Sequence, residues 1–495
     1  RVHAGDGLDE TRGAAADSIE ATVLGVWRQL FGDETIGLDS EFENCGGTSL
    51  LSVQLVLEIQ DRFGVVVNLH RAGGGKATVR RLAATIRGLV TDPGAAGPAA
   101  DQMDLDDNGL VDADLQLSLG PLAAATARGS GVLLTGATGY LGAFLLDELI
   151  RTTNRPVYCV VRAEDEHEAM SRLTSVAAGF LLPPPDPERV RVVPGDLRDI
   201  AKLASAYRDG ELEREVGHVL HCAARVVFTE PYRVLRADNV LPTADLLAWS
   251  RSCGIRDFSF VSTAAATAPA TGADKILETR DQPLDARLGG YGVSKWVCER
   301  LLDRADQDGM RIRVFRPGLI MSNRQTGACN PKDLVYFVLA SGVSVGAHPV
   351  DNRYHEVAPV DVVAQAIVGL ALTRGSVGRA YHLVGEAQPG LRDMFVMLGQ
   401  AGLPTRPVTV AQWRELVREK ALATGNPILS AAAMIELEGN EEGEPVLQST
   451  GWQPWLRRNG IDPGVDGTMI RRGLTYLARH DERFGAMLPE LAGER

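Results

Sequence analysis

The segment 131–150, GVLLTGATGYLGAFLLDELI, decides the fold of the larger part of the chain. It contains an apolar strand, a turn with three glycines (Gly136, Gly139 and Gly142) and an amphipathic helix. In such a turn the first glycine allows a tight bend, the second lets backbone approach a pyrophosphate, and the third packs helix on strand. The helix N-terminus offers N–H groups and a positive dipole end to phosphates. The segment therefore predicts a dinucleotide-binding site.

Short apolar segments rich in β-branched residues recur after this point, separated by stretches of helical length. They are 131–135, 157–162, 189–193, 218–224, 257–263 and 311–317. This alternation predicts an α/β, Rossmann-like, doubly wound parallel sheet with helices on both faces. From about residue 385 the pattern is mostly helical. We therefore expect a core at 130–384 and a helical subdomain at 385–495.

The N-terminal part has helical periodicity and predicts a small all-α, four-helix domain at 14–90. The apolar positions that share a helix face are Ile19, Val23, Val26, Trp27 and Leu30, then Leu51, Leu55, Ile59 and Phe63, then Val79, Leu82, Ile86 and Leu89. Asp17 and Thr78 are the expected N-caps of the first and last helices. Residues 91–129 begin with a stretch rich in Pro, Gly, Ala and Asp, which predicts a linker.

Composition disfavours several classes of protein. The chain has 51 Lys and Arg against 64 Asp and Glu, and a nucleic-acid-binding protein would need a basic face. No apolar run approaches the roughly 18 residues of a membrane helix, and there is no signal peptide, so we expect a cytoplasmic protein without a membrane partner. The six cysteines form no CxxC pair, and no metal site is predicted. The chain begins with Arg1, which is consistent with a piece of a longer protein.

The end of the second predicted strand indicates which nicotinamide cofactor binds. A cofactor with a free ribose 2′-OH favours Asp or Glu at this strand end, but this strand ends in Arg162. A guanidinium suits a 2′-phosphate, and Arg172 is a candidate second donor or, alternatively, a solvated helix charge. NADPH is therefore favoured, while the nearby Glu164 and Asp165 leave NADH open.

Three residues form a candidate redox site. Tyr291 and Lys295 are four residues apart and share a helix face, and Thr263 ends the fifth predicted strand, where ligands of parallel sheets bind. An ammonium beside a phenol lowers the phenol's pKa. Tyr291 is the expected acid, Lys295 the group that tunes it and binds the nicotinamide ribose, and Thr263 the residue that holds a carbonyl oxygen. A packed tyrosine and a surface lysine are the alternative.

These motifs together resemble an extended short-chain dehydrogenase/reductase and, more narrowly, the thioester reductase domains that terminate nonribosomal peptide synthetases. The resemblance is carried, in order, by TGATGYLG, VVRAEDEHEAMSRL, PGDL, HCAARVVF, NVLPTADLL, VSTAAA, YGVSKWVCERLL and FRPGLIMSNRQTGACN. Pro242 departs from it, because glycine is expected there.

The resemblance implies the residues that bind the cofactor. The pyrophosphate would be bound by Thr138, Gly139, Tyr140 and Leu141, and the 2′-phosphate by Arg162 and Arg172. The adenine would be flanked by Asp196 and Leu197. The edge of the fourth strand would be lined by Ala223, Ala224 and Arg225, and the nicotinamide would lie near Gly318. It also implies that the helical tail binds substrate.

The segment 42–56, FENCGGTSLLSVQLV, resembles the phosphopantetheine attachment motif of a peptidyl carrier protein. By this resemblance Ser49 carries 4′-phosphopantetheine on its hydroxyl. The alternative is that Ser49 or Thr48 only caps a helix, a common role. The implied partners are a phosphopantetheinyl transferase, upstream condensation and adenylation domains, and a carrier-bound acyl or peptidyl thioester.

The function implied is NADPH-dependent reduction of that thioester, which releases an aldehyde that a second reduction would convert to an alcohol. One alternative is the carrier–reductase part of a carboxylic acid reductase, although those enzymes tend to read GGDSL and GDK where this chain has GGTSL and GDL. A second is a nucleotide-sugar epimerase or dehydratase, which the carrier domain disfavours. A third is a non-redox release or docking module, which the joint presence of Tyr291 and Lys295 disfavours.

Overall fold

A seven-stranded parallel sheet forms the centre of the larger part of the chain. The structure, a computed structural model, describes residues 7–31, 33–42, 45, 55, 58–59, 62–63, 65, 78–91, 105–124, 129–228, 230–270, 273–350, 356–386, 388–435 and 445–493. The sheet has the order β11-β7-β5-β4-β1-β2-β3, and all neighbouring strands are parallel. The predicted doubly wound sheet is therefore confirmed.

The strands, in chain order, are β1 Gly131–Thr135, β2 Val157–Val161, β3 Val190–Pro194, β4 Val216–His221, β5 Asp257–Val261, β6 Lys275–Ile276, β7 Arg311–Pro317, β8 Leu319–Met321, β9 Ala347–Pro349, β10 Val357–Pro359, β11 Ala380–Leu383, β12 Arg406–Val408 and β13 Val446–Leu447. All six predicted strands occur in the sheet. The seventh strand, β11, was not predicted, because its four residues AYHL are too few to display a period.

The helices are α1 Gly7–Phe31, α2 Val79–Thr91, α3 Leu105–Leu115, α4 Tyr140–Thr152, α5 Glu166–Gly179, α6 Ile200–Ala206, α7 Glu211–Glu215, α8 Tyr232–Ser252, α9 Gly289–Gln307, α10 Leu334–Val345, α11 Val360–Ala371, α12 Leu391–Gln400, α13 Val410–Thr424, α14 Pro427–Met434, α15 Gln453–Asn459, α16 Gly467–His480, α17 Glu482–Met487 and α18 Pro489–Ala492. None of these described helices is both long and apolar enough to span a bilayer.

Helices cover both faces of the sheet, which explains why its central strands are continuous apolar runs. All five residues of β1 are buried, and successive side chains point to opposite faces. Val132 and Leu134 belong to one core cluster, and Leu133 belongs to another. A strand with two buried faces has no polar alternation.

The N-terminal region is helical, as predicted. Val23 and Trp27 of α1 and Leu82 of α2 are fully buried in one cluster. The backbone N–H of Arg81 donates to Thr78 Oγ1 at 3.3 Å, which confirms Thr78 as the cap of α2. The prediction that Asp17 begins the first helix is wrong, because α1 begins at Gly7. The count of four helices depends in part on residues outside the described ones.

Part of the predicted linker 91–129 is packed against the core of the sheet domain, which corrects its boundary. The helix α3 lies within it, and Val111 and Leu119 are buried in the same cluster as β1 and α9. Asp114, which is also buried, accepts a hydrogen bond from Tyr232 Oη at 2.6 Å and from Arg236 Nε at 2.5 Å. This segment is anchored both by apolar residues such as Leu110, Val111 and Leu119 and by the ionic contacts of Asp114.

The boundary between core and helical subdomain at 384/385 also needs correction. The tail is mostly helical, as predicted, but β12 pairs with β9 at 347–349. The Oγ of Ser344, at the end of α10, donates to Met487 O at 3.2 Å. Residues 334–349 therefore pack with the C-terminal helices, although they precede β11 in the sequence.

Candidate functional site

The glycine turn after β1 has the geometry of a pyrophosphate cradle. Gly136 has φ +77, and a Cβ added there would lie 2.7 Å from Ala223 N. A Cβ at Gly142 would lie 1.9 Å from Gly136 O, so helix and turn touch as predicted. A Cβ at Gly139 would meet, within the described chain, only Gly136 O at 3.3 Å. The contact at Gly139 is therefore tight but much less severe than the overlaps at Gly136 and Gly142, and Gly139 is the position where a phosphate is expected to approach.

The start of α4 fits an anionic group. Its N-cap is Gly139, and among the described residues no side chain hydrogen-bonds there as a cap. The first N–H groups of a helix seek an acceptor, and the dipole favours negative charge. Thr138 and Leu141 flank this point. The side chain of Tyr140 points elsewhere, because its hydroxyl donates to Met321 O at 2.9 Å and Ala328 O at 3.2 Å. Only the backbone of Tyr140 is thus suited to a phosphate.

A buried histidine, which was not predicted, holds the turn from below. Thr135 Oγ1 accepts the N–H groups of Cys222 and Ala223, each at 3.1 Å, and lies 2.7 Å from His221 Nδ1. His221 Nε2 lies 2.9 Å from Thr243 Oγ1. This pattern fits a neutral ring with its proton on Nε2, and burial lowers the pKa of His221 to about 3. In the sequence, His221 could have been noticed as the first residue of the HCAA motif.

Two arginines meet at the end of β2, where the 2′-phosphate was predicted. Arg162 follows the strand directly and is exposed. The guanidinium of Arg172 donates to the backbone carbonyl of Arg162, so the two residues lie together. Asp165, a residue that left NADH open, caps α5 by accepting from Glu168 N at 2.7 Å. Its carboxylate is thus already engaged with backbone.

The predicted adenine residues follow β3. Asp196 accepts from Arg198 N at 2.9 Å and begins the 3₁₀ helix Leu197–Asp199. The Arg198 guanidinium also pairs with it, at 2.8 Å, and this hydrogen bond is the largest cause of its pKa of about 2. Arg162 contributes to the same lowering. Asp196 and Leu197 thus lie near the two arginines, at one end of the candidate cofactor site.

The loop after β4 is anchored to α8. Ala223 bonds to Thr135, as described above, and Ala224 follows it. Arg225 N donates to Asn239 Oδ1 at 2.7 Å, and Asn239 Nδ2 donates back to Arg225 O at 3.0 Å. The Arg225 guanidinium pairs with Glu230 and with Asp238. The helix continues through Pro242 from Tyr232 to Ser252, so the proline is tolerated.

The three predicted redox residues come together at the ends of β5 and α9. Thr263 caps the 3₁₀ helix Ala264–Ala266 by accepting from Ala265 N at 3.2 Å, and its side chain is among the groups that act on the pKa of Tyr291. Lys295 Nζ donates to Val261 O at 2.8 Å and lies 4.5 Å from the centre of the Phe260 ring. All three side chains are at most 9 % exposed. The alternative of a surface lysine is therefore wrong.

The direction of the Tyr291 pKa differs from the prediction. Burial, the largest cause, raises the pKa of Tyr291, and the hydrogen bond from Thr263 opposes that rise. Burial lowers the pKa of Lys295. The expected lowering at Tyr291 is wrong because burial disfavours the phenolate, the thiols of Cys222 and Cys298 add to the rise, and Lys295 is not among the groups that act on this pKa.

An ionic network that was not predicted lies directly below the trio. Glu299 pairs with Arg316 at 2.5 Å, and the two side chains are 1 % and 0 % exposed. Ser262, the neighbour of Thr263, donates to Glu299 Oε1 at 2.5 Å. Arg316 continues to His382 at 3.2 Å, and His382 Nδ1 lies 2.7 Å from Gln448 O. Glu299 lies four residues after Lys295, a helical spacing that could have drawn attention to it.

For two further predicted site residues, Gly318 and Ser49, the structure gives no support for the predicted role. Gly318 approaches backbone closely, since a Cβ there would lie 2.0 Å from Glu356 O. This contact explains the glycine without any cofactor. Ser49 lies outside the described residues, and its attachment role stays a prediction.

Comparison with known protein families divides the chain as the fold does. Residues 21–86 match the model described as a phosphopantetheine attachment site. Residues 134–367 match the model described as male sterility protein. One chain of the linear gramicidin synthase of Brevibacillus parabrevis is 30 % identical over 476 residues, which are 93 % of this chain and 9 % of that protein.

Solved structures agree with this division. The terminal R domain from the myxalamid PKS-NRPS biosynthetic pathway has 30 % identity and a TM-score of 0.67, covering 76 % of this chain and 98 % of that one. A thiolation-reductase di-domain from an archaeal non-ribosomal peptide synthetase covers 94 % of this chain and 98 % of that one, with a TM-score of 0.67. At 21 % identity it supports the fold alone.

The glycine turn, the sheet order and the Tyr291–Lys295 pair define a nicotinamide-dependent reductase of the extended short-chain dehydrogenase type. With a phosphopantetheine-attachment domain before it, the chain belongs to the family of carrier–reductase didomains that terminate nonribosomal peptide synthetases. It spans between 9 % and 48 % of the length of the first curated relatives that it matches.

Proposed function

We propose that this chain is the reductive release unit of a peptide synthetase. NADPH is its reductant, Ser49 carries 4′-phosphopantetheine, and the acyl or peptidyl thioester on that arm is released as an aldehyde. The observation that carries the proposal is the meeting of Thr263, Tyr291 and Lys295 at the carboxyl edge of a sheet whose first turn fits a pyrophosphate.

The residues favour NADPH over NADH for an electrostatic reason. Arg162 and Arg172 lie together at the end of β2, and two guanidiniums suit a dianionic 2′-phosphate. Asp165, the carboxylate that would instead bind a ribose 2′-OH, caps α5. When bound, NADPH supplies a hydride to the thioester carbonyl carbon.

The protein's own side chains bind and protonate the carbonyl oxygen of the substrate. The hydroxyls of Thr263 and Tyr291 donate hydrogen bonds to the carbonyl oxygen, and Tyr291 transfers its phenolic proton as charge develops there. Lys295, fixed on Val261 O, stabilises the phenolate that remains. In the resulting hemithioacetal the C–S bond breaks and the carbonyl re-forms as an aldehyde. The hydroxyl proton returns to Tyr291, and the thiolate of the arm takes a proton from solvent.

The proposal includes partners and a compartment. A phosphopantetheinyl transferase modifies Ser49, and upstream condensation and adenylation domains load the arm. Tethering raises the local concentration of the thioester, so turnover needs no tight interface between carrier and reductase.

The cysteines support a cytoplasmic location. No disulfide joins any of the six cysteines, all of which are among the described residues, and free thiols are typical of the cytoplasm.

The test is NADPH oxidation, followed by absorbance, with the full chain and a hexanoyl-pantetheine thioester. Wild type should consume NADPH and yield hexanal, and Tyr291→Phe should not. Ser49→Ala is the matched control, because it removes the attachment hydroxyl and leaves the reductase intact. It should reduce the free thioester normally and fail only with a substrate loaded on the chain itself. NADPH binding without oxidation in wild type would contradict the proposal.

A further inference from the structure

Two large apolar side chains stand exposed on one loop, and one of them contacts the candidate catalytic phenol. Phe228 is 58 % exposed and Val226 is 56 % exposed, both in the loop between β4 and α8. The Phe228 ring lies 5.1 Å from the Tyr291 ring, at an interplanar angle of 74°. An edge contact of this kind uses one side of the ring. The remainder is apolar surface open to solvent, next to a group that must contact substrate.

The loop that carries these side chains is held firmly at its base. Cys222 and Ala223 bond to Thr135, and Arg225 is bonded through its backbone to Asn239. The Arg225 side chain pairs with Glu230 across the loop. These anchors place Val226 and Phe228 just outside the site without burying them. Single exposed apolar residues need no explanation, but two on an anchored loop that touches the catalytic acid do.

The reaction itself limits what can cover this surface. The thioester carbonyl must reach the Tyr291 hydroxyl, so the carbons next to that carbonyl come within reach of the neighbouring ring. In a simple acyl chain those carbons are apolar, and in a peptidyl chain the side chain on the carbon next to the carbonyl can supply apolar surface. Covering an exposed ring with them removes apolar surface from water on both sides.

We propose that Phe228, supported by Val226, is a substrate-contact residue that packs against the acyl carbons next to the thioester carbonyl and favours apolar acyl groups. The inference rests on the proposed thioester reduction and adds to it the class of acyl group preferred. Arg225 and Asn239 position this surface.

The experiment compares hexanoyl-pantetheine with acetyl-pantetheine in wild type and Phe228→Ala, using the full chain. Losing about half of the burial of a phenyl ring should lower kcat/KM for the hexanoyl thioester about tenfold. The acetyl thioester, which offers the ring a single methyl group to cover, should change by less than about twofold, and KM for NADPH should not change. Phe228→Leu should retain most of the preference, and Val226→Ala should lose less of it.

Leu422→Ala is the matched control, since Leu422 is 66 % exposed on α13 and should leave both thioesters unaffected. An equal loss for both thioesters in Phe228→Ala would overturn the inference, because the ring would then only support Tyr291. A change in KM for NADPH alone would also overturn it and assign the ring to the nicotinamide.

Binding of the non-reducible hexanoyl amide of pantetheine, measured by calorimetry, separates this inference from the proposed function. Weaker binding to Phe228→Ala than to wild type supports the inference even if no NADPH is consumed. Equal binding contradicts it even if wild type is an active reductase.

Discussion

The glycine turn after β1 and the candidate catalytic trio at the end of β5 lie at the same edge of the sheet but are held in different ways. At the turn, backbone contacts backbone, and a Cβ at Gly136 or Gly142 would collide with main-chain atoms. At the trio, side chains are held by backbone groups and by other side chains: Thr263 by Ala265 N, Lys295 by Val261 O, and the neighbouring Ser262 by Glu299.

This difference explains how each region tolerates change. A backbone turn depends on a few neighbouring residues and on the absence of a Cβ. The catalytic edge depends on a buried charge pair formed by Glu299 and Arg316, which belong to α9 and β7. Breaking a buried pair leaves an uncompensated charge and costs far more than a surface pair does. Variants in the two regions should therefore fail differently.

The largest expected effect is on turnover in Tyr291→Phe. Loss of the proton donor should lower kcat by about 10²- to 10⁴-fold, with the melting temperature and NADPH affinity close to wild type. The matched control is Tyr207→Phe, because the Tyr207 hydroxyl is buried and has no hydrogen-bond partner among the described residues. A normal kcat in Tyr291→Phe would show that Tyr291 is not the proton donor and that the end of β5 is not the catalytic site.

The second effect is on stability in Glu299→Gln, which should lose about 3–5 kcal/mol in the free energy of unfolding, because Arg316 becomes a buried unpaired charge. Below its unfolding transition the variant should also show a lower kcat at unchanged NADPH affinity, since Ser262 loses its carboxylate acceptor. Asp114→Asn is the control, a buried carboxylate of α3 that pairs with Arg236 of α8. It should lose stability and keep kcat. Urea unfolding and steady-state rates measure both.

The third effect separates two glycines of one turn. Gly142→Ala should lose roughly 3 kcal/mol of stability, because its Cβ would overlap the Gly136 backbone. Gly139→Ala should lose much less stability, since its φ of −89 suits alanine and its Cβ would meet Gly136 O at 3.3 Å, which a small shift relieves. It should instead weaken NADPH binding, measured by fluorescence titration. Equal loss of stability in both variants would contradict the assignment of Gly139 to the phosphates.

The fourth effect is on cofactor choice. Arg162→Gln and Arg172→Gln should each reduce the preference for NADPH over NADH by about tenfold or more, because each removes a charged hydrogen bond of about 1.5–3 kcal/mol. The ratio of kcat/KM for the two cofactors measures this. Arg151→Gln, an exposed arginine on α4 paired with Glu148, should leave the ratio unchanged. Unaltered ratios in both test variants would place the 2′-phosphate elsewhere.

The smallest effect is a dependence of stability on pH that both regions share. Burial lowers the pKa of His221, below the turn, to about 3, and that of His382, below the trio, to about 4. As pH falls below the ordinary value of 6.5, the unfolded chain binds protons that the folded chain does not, so stability falls. Each histidine contributes at most about 1.4 kcal/mol per pH unit. His221→Asn and His382→Asn should each reduce the slope of the urea midpoint between pH 6.5 and 5.

Much of this molecule follows from local patterns. The strand–glycine–helix segment predicted the first βαβ unit, and six strands of the sheet were found from their apolar runs. Tyr291 and Lys295 were found because one helical spacing places both on one face. The chain around α3 was mistaken for linker, since its packing depends on Asp114 as well as on an apolar stripe. The strand β11 was too short to show a period.

The residues that were missed share one property: their partners are remote in sequence. One network joins residues from four separate segments: Ser262, Glu299, Arg316 and His382. It therefore cannot be recognised from any one of those segments alone. The same holds for Thr135 and His221. Phe228 looked like one more apolar residue in a motif until its contact with Tyr291 and its exposure were known.

The sequence by itself therefore determined the order of elements, the glycine turn, the candidate trio and the resemblance to a carrier–reductase pair, because each depends on residues close together in the chain. Only the tertiary structure decided the direction of the Tyr291 pKa shift, the buried network beneath it and the apolar surface beside it. Burial and the distances between side chains that are remote in sequence set those properties. Both are fixed only when the chain folds and the strand ends come together at one edge of the sheet.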